Sequence, residues 1–235
     1  MKFGYCTDTG RVRDRNEDAV FVGVHMFAVA DGMGGHKAGE VASMIAVEEI
    51  AKVDGTTTSD IPQKISEAIS SANKRIIDAA FGENSGMGTT LTLAYIDKGV
   101  AFIGHVGDSR AYLINRKEVR RLTVDHSVVG ELIRSGFISE DDAKSHPQRN
   151  AIIRSLGDVL DVEADIIEVA VKNNDILLLC TDGLHNNIDE DEMREMIMKC
   201  DDIQEACDKL VHLANLRGGN DNISVVAVKL EIDKK

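Results

Sequence analysis

The sequence predicts an α+β body with antiparallel sheets in the middle and helix pairs outside. Two observations carry this. Apolar runs of strand length, such as Ile176–Cys180, are bounded by turn-rich connections, and helical stretches with one apolar side come in pairs between them. The resulting order is strands, two helices, strands, two helices and a closing strand. A parallel doubly wound fold would alternate strictly, so a layered body fits better. No linker-like stretch divides the 235 residues, and one domain over 1–235 is expected.

Taken in order, residues 19–30 read as two short strands joined by a turn near Gly23. Residues 38–53 carry Val41, Ile45, Val47 and Ile50 at helical spacing. Pro62 opens a second helix reaching about residue 80, with Ile65, Ile69, Ile76 and Ile77 on one side, and a glycine-rich loop at 82–88 ends it. Strands are expected at 89–96, 100–104, 110–114 and 118–122. The connections Asp97-Lys98-Gly99, Gly107-Asp108-Ser109 and Asn115-Arg116-Lys117 have hairpin length, so each strand should pair antiparallel with the next. Residues 125–157 turn polar, with helical pieces at 128–135 and 139–143 and a break at His146-Pro147; they read as a mobile excursion from the core. Strands return at 162–169 and 176–180, followed by helices at 190–199 and 203–215 and a last strand at 223–231.

A hydrophobic fraction of 43% supports a sizeable core. The apolar runs fall far short of the ~20 residues that span a membrane, and the first residues lack an apolar signal segment, so a soluble, cytoplasmic protein is expected. Cys6, Cys180, Cys200 and Cys207 show no C-x-x-C spacing, which argues against zinc or a disulfide framework. Cys200 and Cys207, seven apart, should face the core. The net charge of −13 argues against nucleic-acid or anionic-membrane partners, and no basic stripe offsets it. Most of the acidic residues serve solubility. An anionic phosphate substrate would need local positive charge, for which bound metal ions are the natural source.

Four acidic signatures sit against strand-like runs. Asp31-Gly32-Met33-Gly34-Gly35 follows residues 27–30, Asp182-Gly183 follows Ile176–Cys180, and Asp221-Asn222 opens 223–228. Arg13-Asp14-Arg15-Asn16-Glu17-Asp18 precedes 19–22. Asp-Gly alone is a plain turn sequence. Three such aspartates at strand ends would meet at one sheet edge if the strands are neighbours, and hard divalent cations prefer those oxygens. Gly32 lets the backbone approach closely, so its carbonyl could join them. On an extended segment Arg13 could aim at a phosphate oxygen, a contact worth roughly 1.5–3 kcal/mol, while Glu17 and Asp18 reach metal-bound water. Arg11 and Arg15 compete for the same role. The combination points to metal-assisted hydrolysis of a phosphate ester.

The ordered set Arg13-x-x-Asn16-Glu17-Asp18, Asp31-Gly32-Met33-Gly34-Gly35, Gly88-Thr89-Thr90, Val106-Gly107-Asp108-Ser109-Arg110, Thr181-Asp182-Gly183 and Asp221-Asn222 resembles the bacterial branch of the type 2C metal-dependent protein phosphatases. The resemblance runs from about residue 4 to 230. It implies a four-layer α-β-β-α sandwich, two antiparallel sheets flanked by helix pairs, with two Mn²⁺ or Mg²⁺ ions at one end. It also implies hydrolysis of phosphoserine and phosphothreonine in proteins by a metal-bridging water. Asp31 resembles the carboxylate bridging the two metals, Gly32 the backbone ligand of one, and Asp182 and Asp221 the ligands of the other. Glu17 and Asp18 correspond to holders of metal-bound water, Arg13 to the phosphate-binding arginine, and Asp108 to a ligand of a third, weaker ion shared with Asp182. Residues 125–157 resemble the flap tied to substrate choice. Met33 stands where animal relatives carry a histidine acid; His36 is a weaker candidate for that proton, and His126 and His146 receive no role. Phosphoproteins, with a Ser/Thr kinase among them, are the implied partners of a monomeric enzyme. A non-catalytic phosphoprotein-binding module on the same fold is the main alternative. The absence of any basic groove argues against a two-metal nuclease or phosphodiesterase.

Overall fold

The computed structural model describes residues 1–34, 38–55 and 60–231. Gly35 and His36 lie outside the described residues. The chain opens with β1 (Lys2–Asp8), β2 (Asp18–Val22) and β3 (Met26–Met33), then α1 (Ala38–Ala51) and α2 (Ile61–Ala79). The central strands are β4 (Gly88–Thr89), β5 (Leu91–Asp97), β6 (Val100–Val106), β7 (Arg110–Ile114) and β8 (Val119–Arg121). Short helices α3 (Val128–Arg134) and α4 (Glu140–Lys144) precede β9 (Asp165–Ala170) and β10 (Ile176–Cys180). The chain closes with α5 (Asp182–His185), α6 (Glu190–Lys199), α7 (Ile203–Leu216) and β11 (Ile223–Lys229).

One sheet runs β1-β11-β10-β7-β8 and the other β2-β3-β5-β6-β9, with β4 added to β3. Neighbours pair antiparallel throughout. Apolar residues form three layers between four layers of structure. Ile45 and Ile50 of α1 and Ile65, Ile69 and Ile76 of α2 cover Met26 and Leu93 of the second sheet. Met193, Ile197, Leu210 and Val211 cover Leu178, Val225 and Ala227 of the first. Between the sheets lie Phe27, Val29, Ile103, Leu177, Leu179, Val226 and Val228. Alternate residues of β11 thus face opposite apolar layers, which is why that strand reads as a continuous apolar run. This is the expected α-β-β-α sandwich.

Helix starts follow the chain's capping chemistry. Asp60, Asp189 and Asp202 each accept a hydrogen bond from a first-turn amide of α2, α6 and α7. Residues 125–157 leave the core but stay tied to it. The His126 N–H donates to the Gly107 carbonyl at 2.7 Å, and Leu156 exchanges two backbone hydrogen bonds with Thr89.

One expected pairing needs correction, and one strand lies beyond those expected. β6 and β7 do not form a hairpin: Gly107-Asp108-Ser109 carries the chain from one sheet to the other. Gly107 has φ +109, and a Cβ there would meet the Thr90 side chain at 2.6 Å, so the short connection turns tightly across the sandwich instead of folding back. β1 is not signalled by the sequence, because only alternate residues of Lys2–Asp8 face inward and none is aliphatic. Cys200, half-buried at the end of α6, and Cys207, enclosed in α7, both pack against the apolar layer over the first sheet, as expected.

Candidate metal centre

All the acidic signatures lie at one end of the sandwich, where β3, β6 and β10 finish and β2, β7 and β11 begin. Asp31, Asp182 and Asp221 do not share one sheet edge, however. Asp31 belongs to β3 of one sheet, while Asp182 and Asp221 flank β10 and β11 of the other. Their side chains meet across the gap between the layers, and Arg13, Glu17, Gly32 and Asp108 join them around a cavity of about 210 Å³. Asp31 also sits inside its strand, which continues to Met33 because β4 pairs with Gly32 and Met33.

Each residue has an identifiable support. Asp18 and Asp31 face each other in the β2–β3 ladder, a like-charge pair that neither would adopt for stability alone. Thr181 Oγ1 donates to Asp18 at 2.9 Å and accepts the Ser224 amide at 2.9 Å, tying β2 to the other sheet. The Asp31 amide donates to Thr90 Oγ1 at 2.9 Å, and its carbonyl accepts from Thr89 and Thr90. Asp108 rides on the β6–β7 crossing, whose carbonyl faces His185 Nε2 at 3.1 Å. Gly32 lies so close to α1 that a Cβ would meet the Gly39 carbonyl oxygen at 2.2 Å, and a Cβ at Gly39 would meet the Gly32 carbonyl carbon at 2.7 Å. Two glycines facing each other let the helix start against the strand.

The segment 13–17 is irregular, not extended; strand geometry begins at Asp18. Asn222 holds it. Its amide nitrogen donates to the Thr9 and Arg15 carbonyls, and its side-chain oxygen accepts from the Glu17 amide at 2.8 Å. From this loop Arg13 places its guanidinium 2.8 Å from Asp221, with half its side chain exposed. Asn222, Thr181 and Gly39 were not singled out from the sequence, although the first two stand inside the quoted motifs. Asn150 and Ile152, from the 125–157 excursion, also line the cavity.

Burial is the main electrostatic fact. It pushes the Asp18 carboxyl up to about 7, Asp182 up to about 6 and Asp108 up to about 8, with repulsion among the aspartates adding to it. Asp31 rises well above the carboxylate range for the same reasons, and Glu17 rises through burial. One oxygen each of Asp18 and Asp182 is buried with no hydrogen-bond partner among the described residues. Buried, unpartnered carboxylate oxygens that repel one another are unfavourable unless a cation compensates. Among the described residues no three acidic, histidine or cysteine side chains form a ready-made cage. An all-oxygen set of this kind suits Mg²⁺ or Mn²⁺, which complete their coordination with water.

A family model described as protein phosphatase 2C matches residues 9–216. The chain belongs to the protein phosphatase 2C family. It is 41% identical to a serine/threonine phosphatase stp of Listeria monocytogenes, over 100% of this chain and 98% of that protein. The fold superposes on the Mycobacterium tuberculosis serine/threonine phosphatase PstP/Ppp with TM-score 0.93, 35% identity and 98% of each chain covered. It also matches a structure of the PstP catalytic domain in complex with two manganese ions, with TM-score 0.90, 32% identity and 97% of each chain covered. This family membership agrees with the fold expected of the type 2C resemblance. Among the described residues no helix is long and apolar enough to cross a membrane.

Proposed function

We propose that this chain hydrolyses phosphoserine and phosphothreonine side chains of proteins by direct attack of water, without a phosphoenzyme. The observation that carries the reading is the convergence of Asp18, Asp31, Asp108, Asp182 and Asp221 with Arg13 at one end of a protein phosphatase 2C fold. Two Mn²⁺ or Mg²⁺ ions would be held by Asp31 between them, the Gly32 carbonyl on one, and Asp182 and Asp221 on the other. Glu17 and Asp18 would hold water of the site, and Asp108 with Asp182 would take a third, weaker ion. When bound, such ions lower the pKa of water toward neutrality and offset phosphoryl charge.

The chain's own groups do the rest. Arg13 binds the phosphate; its half-exposed guanidinium can exchange Asp221 for a substrate oxygen without unburying a charge. Thr181 and Asn222 fix the two acidic segments that frame the cavity. Met33 lines the cavity and offers no proton to a leaving group. The substrates would be phosphoproteins, a Ser/Thr kinase and its targets among them, met by a monomeric, cytoplasmic enzyme.

The test is phosphate release from a phosphothreonine peptide with Mn²⁺, with and without EDTA, beside Asp182→Ala. Release should require the metal and should nearly vanish in the variant. Arg13→Ala should lose roughly 10–100-fold in kcat/KM, the worth of one charge-assisted contact. No release from folded, metal-loaded protein would favour a phosphoprotein-binding module. Near-normal turnover in Asp182→Ala would overturn the ligand assignment.

A further inference from the structure

The opposite end of the sandwich carries a second concavity. It is an open groove of about 800 Å³ where the β7–β8 and β9–β10 turns meet the end of β11 and the α6–α7 junction. The length of β11, Ile223–Lys229, separates it from Asp221, roughly 20 Å at strand rise. Its floor is aliphatic, from Ile176, Ile197, Met198 and Ile203. Its rim carries Arg116, Lys117, Lys172 and Lys229, from three separate stretches of chain.

These cations are unlike most others in the molecule. Among the described residues none of the four has an ion-pair partner, whereas Arg75, Arg110, Arg154 and Arg217 are all paired. Three carboxylates also line the groove. Asp175 is turned inward, accepting the Lys172 amide at 2.9 Å, while Glu118 and Asp201 leave the rim balance positive. On a chain of net charge −13, a locally positive rim is the exception. Side-chain hydrogen bonds close both turns: Asn115 Oδ1 accepts the amides of Lys117 and Glu118, and Asp175 accepts the Lys172 amide. Arg116, Lys117 and Lys172 therefore stand on hydrogen-bonded turns, and Lys229 on the end of β11. The expectation that no basic groove exists rested on the absence of a basic stripe, and residues this far apart in sequence form no stripe.

We propose that this groove docks an acidic segment of a phosphoprotein, with apolar side chains on the aliphatic floor and carboxylates or phosphates against Arg116, Lys117, Lys172 and Lys229. Charge complementarity selects the occupant, and the strongly acidic surface elsewhere repels such a segment. Nucleic acid fits poorly, because no aromatic side chain lines the groove to stack a base. The proposal rests on the phosphatase reading only in taking the segment to belong to a substrate; docking would hold the protein chain while its phosphorylated residue reaches the metal centre.

The test uses the double variant Lys117→Glu/Lys172→Glu, both exposed and outside the metal centre. A short fluorescein-labelled peptide of glutamates and leucines is titrated by anisotropy against the intact protein. Binding should weaken roughly tenfold or more in the variant and on adding salt. Equal affinity for both proteins would overturn the proposal. So would equal competition by inorganic phosphate, which marks a small-anion site, or tighter binding of a single-stranded oligonucleotide. A second arm measures turnover with Mn²⁺. An aryl phosphate and a short neutral phosphothreonine peptide should be hydrolysed alike by both proteins, while the same peptide extended by the acidic segment should show a raised KM at unchanged kcat only in the variant. Loss of aryl phosphate turnover in both proteins would sink the phosphatase reading and leave the binding result standing; an unchanged KM for the extended peptide would sink the docking of substrates.

Discussion

Asn222 illustrates how much a single amide can organise. Its three side-chain hydrogen bonds reach Thr9, Arg15 and Glu17, so the loop carrying Arg13 and Glu17 is positioned from the residue that leads into β11 and not by its own sequence. Asn222→Ala would leave these backbone groups to find other partners at a site that is almost fully buried. The expected result is a fall in kcat/KM of roughly tenfold to a hundredfold, about 1.5–3 kcal/mol of lost positioning, with the metal-dependent rise in Tm retained. Steady-state kinetics beside a metal titration followed by Tm would check both. Loss of the metal response instead would mean that Asn222 acts through the ligands and not through the loop. At this scale the sequence was informative where chemistry is carried by residue type: a carboxylate beside a strand announces itself. It was silent where a neutral side chain works through a distant backbone, because nothing in the stretch around Asn222 says that residue 15 lies beside it.

Among the elements, the same contrast separates strands that were readable from those that were not. Ile176–Cys180 is flanked by two apolar layers and shows five apolar residues in a row. β1 is an edge strand whose Gly4 lies against the α7 backbone, within 2.6 Å of where a Cβ would stand, so close packing replaces a hydrophobic signal. The β6–β7 crossing has hairpin length but joins two sheets, a distinction that depends on what Gly107 packs against and not on how many residues intervene. Beside the Leu156–Thr89 hydrogen bonds, a buried polar anchor holds the return of the 125–157 excursion to the core. Asn73, fully buried in α2, accepts the Gly157 amide at 2.8 Å and donates to the carbonyls of Val159 and Leu160. Asn73→Ala should therefore destabilise the protein by about 2–3 kcal/mol through unsatisfied buried groups, lowering Tm by roughly 5–10 °C. Calorimetry on the metal-loaded protein would measure it; a change under a degree would show that water replaces the amide at no cost.

For the molecule as a whole, the two kinds of buried titratable group pull stability in opposite directions with pH. Asp18, Asp108 and Asp182 are raised to about 7, 8 and 6, by burial first and by neighbouring aspartates second. A carboxyl raised above its unfolded value binds more protons in the folded chain. Without metal its contribution is fully present below the unfolded value of about 4 and is lost as pH rises from there through the folded values of about 6 to 8. His105 and His185 have the other sign. Burial lowers them to about 4 and about 3, so the unfolded chain takes the proton first, and stability is lost as pH falls below the unfolded value of about 6.5. In chelated protein the raised carboxyls outnumber the two histidines, so Tm should fall as pH rises from about 4 to 8, most steeply above about pH 6.5 where the histidines no longer offset the loss. Cations held by the aspartates would remove the alkaline loss, because the charged carboxylates are then the bound form, and would leave the histidine loss in place. Scanning calorimetry across this range in EDTA and in Mn²⁺ separates the two contributions: the metal should raise Tm most at about pH 8 and least in acid. If Tm of the chelated protein climbs steadily from about pH 6 to 8, the carboxylates do not repel one another as their burial requires, and the metal centre loses its electrostatic rationale.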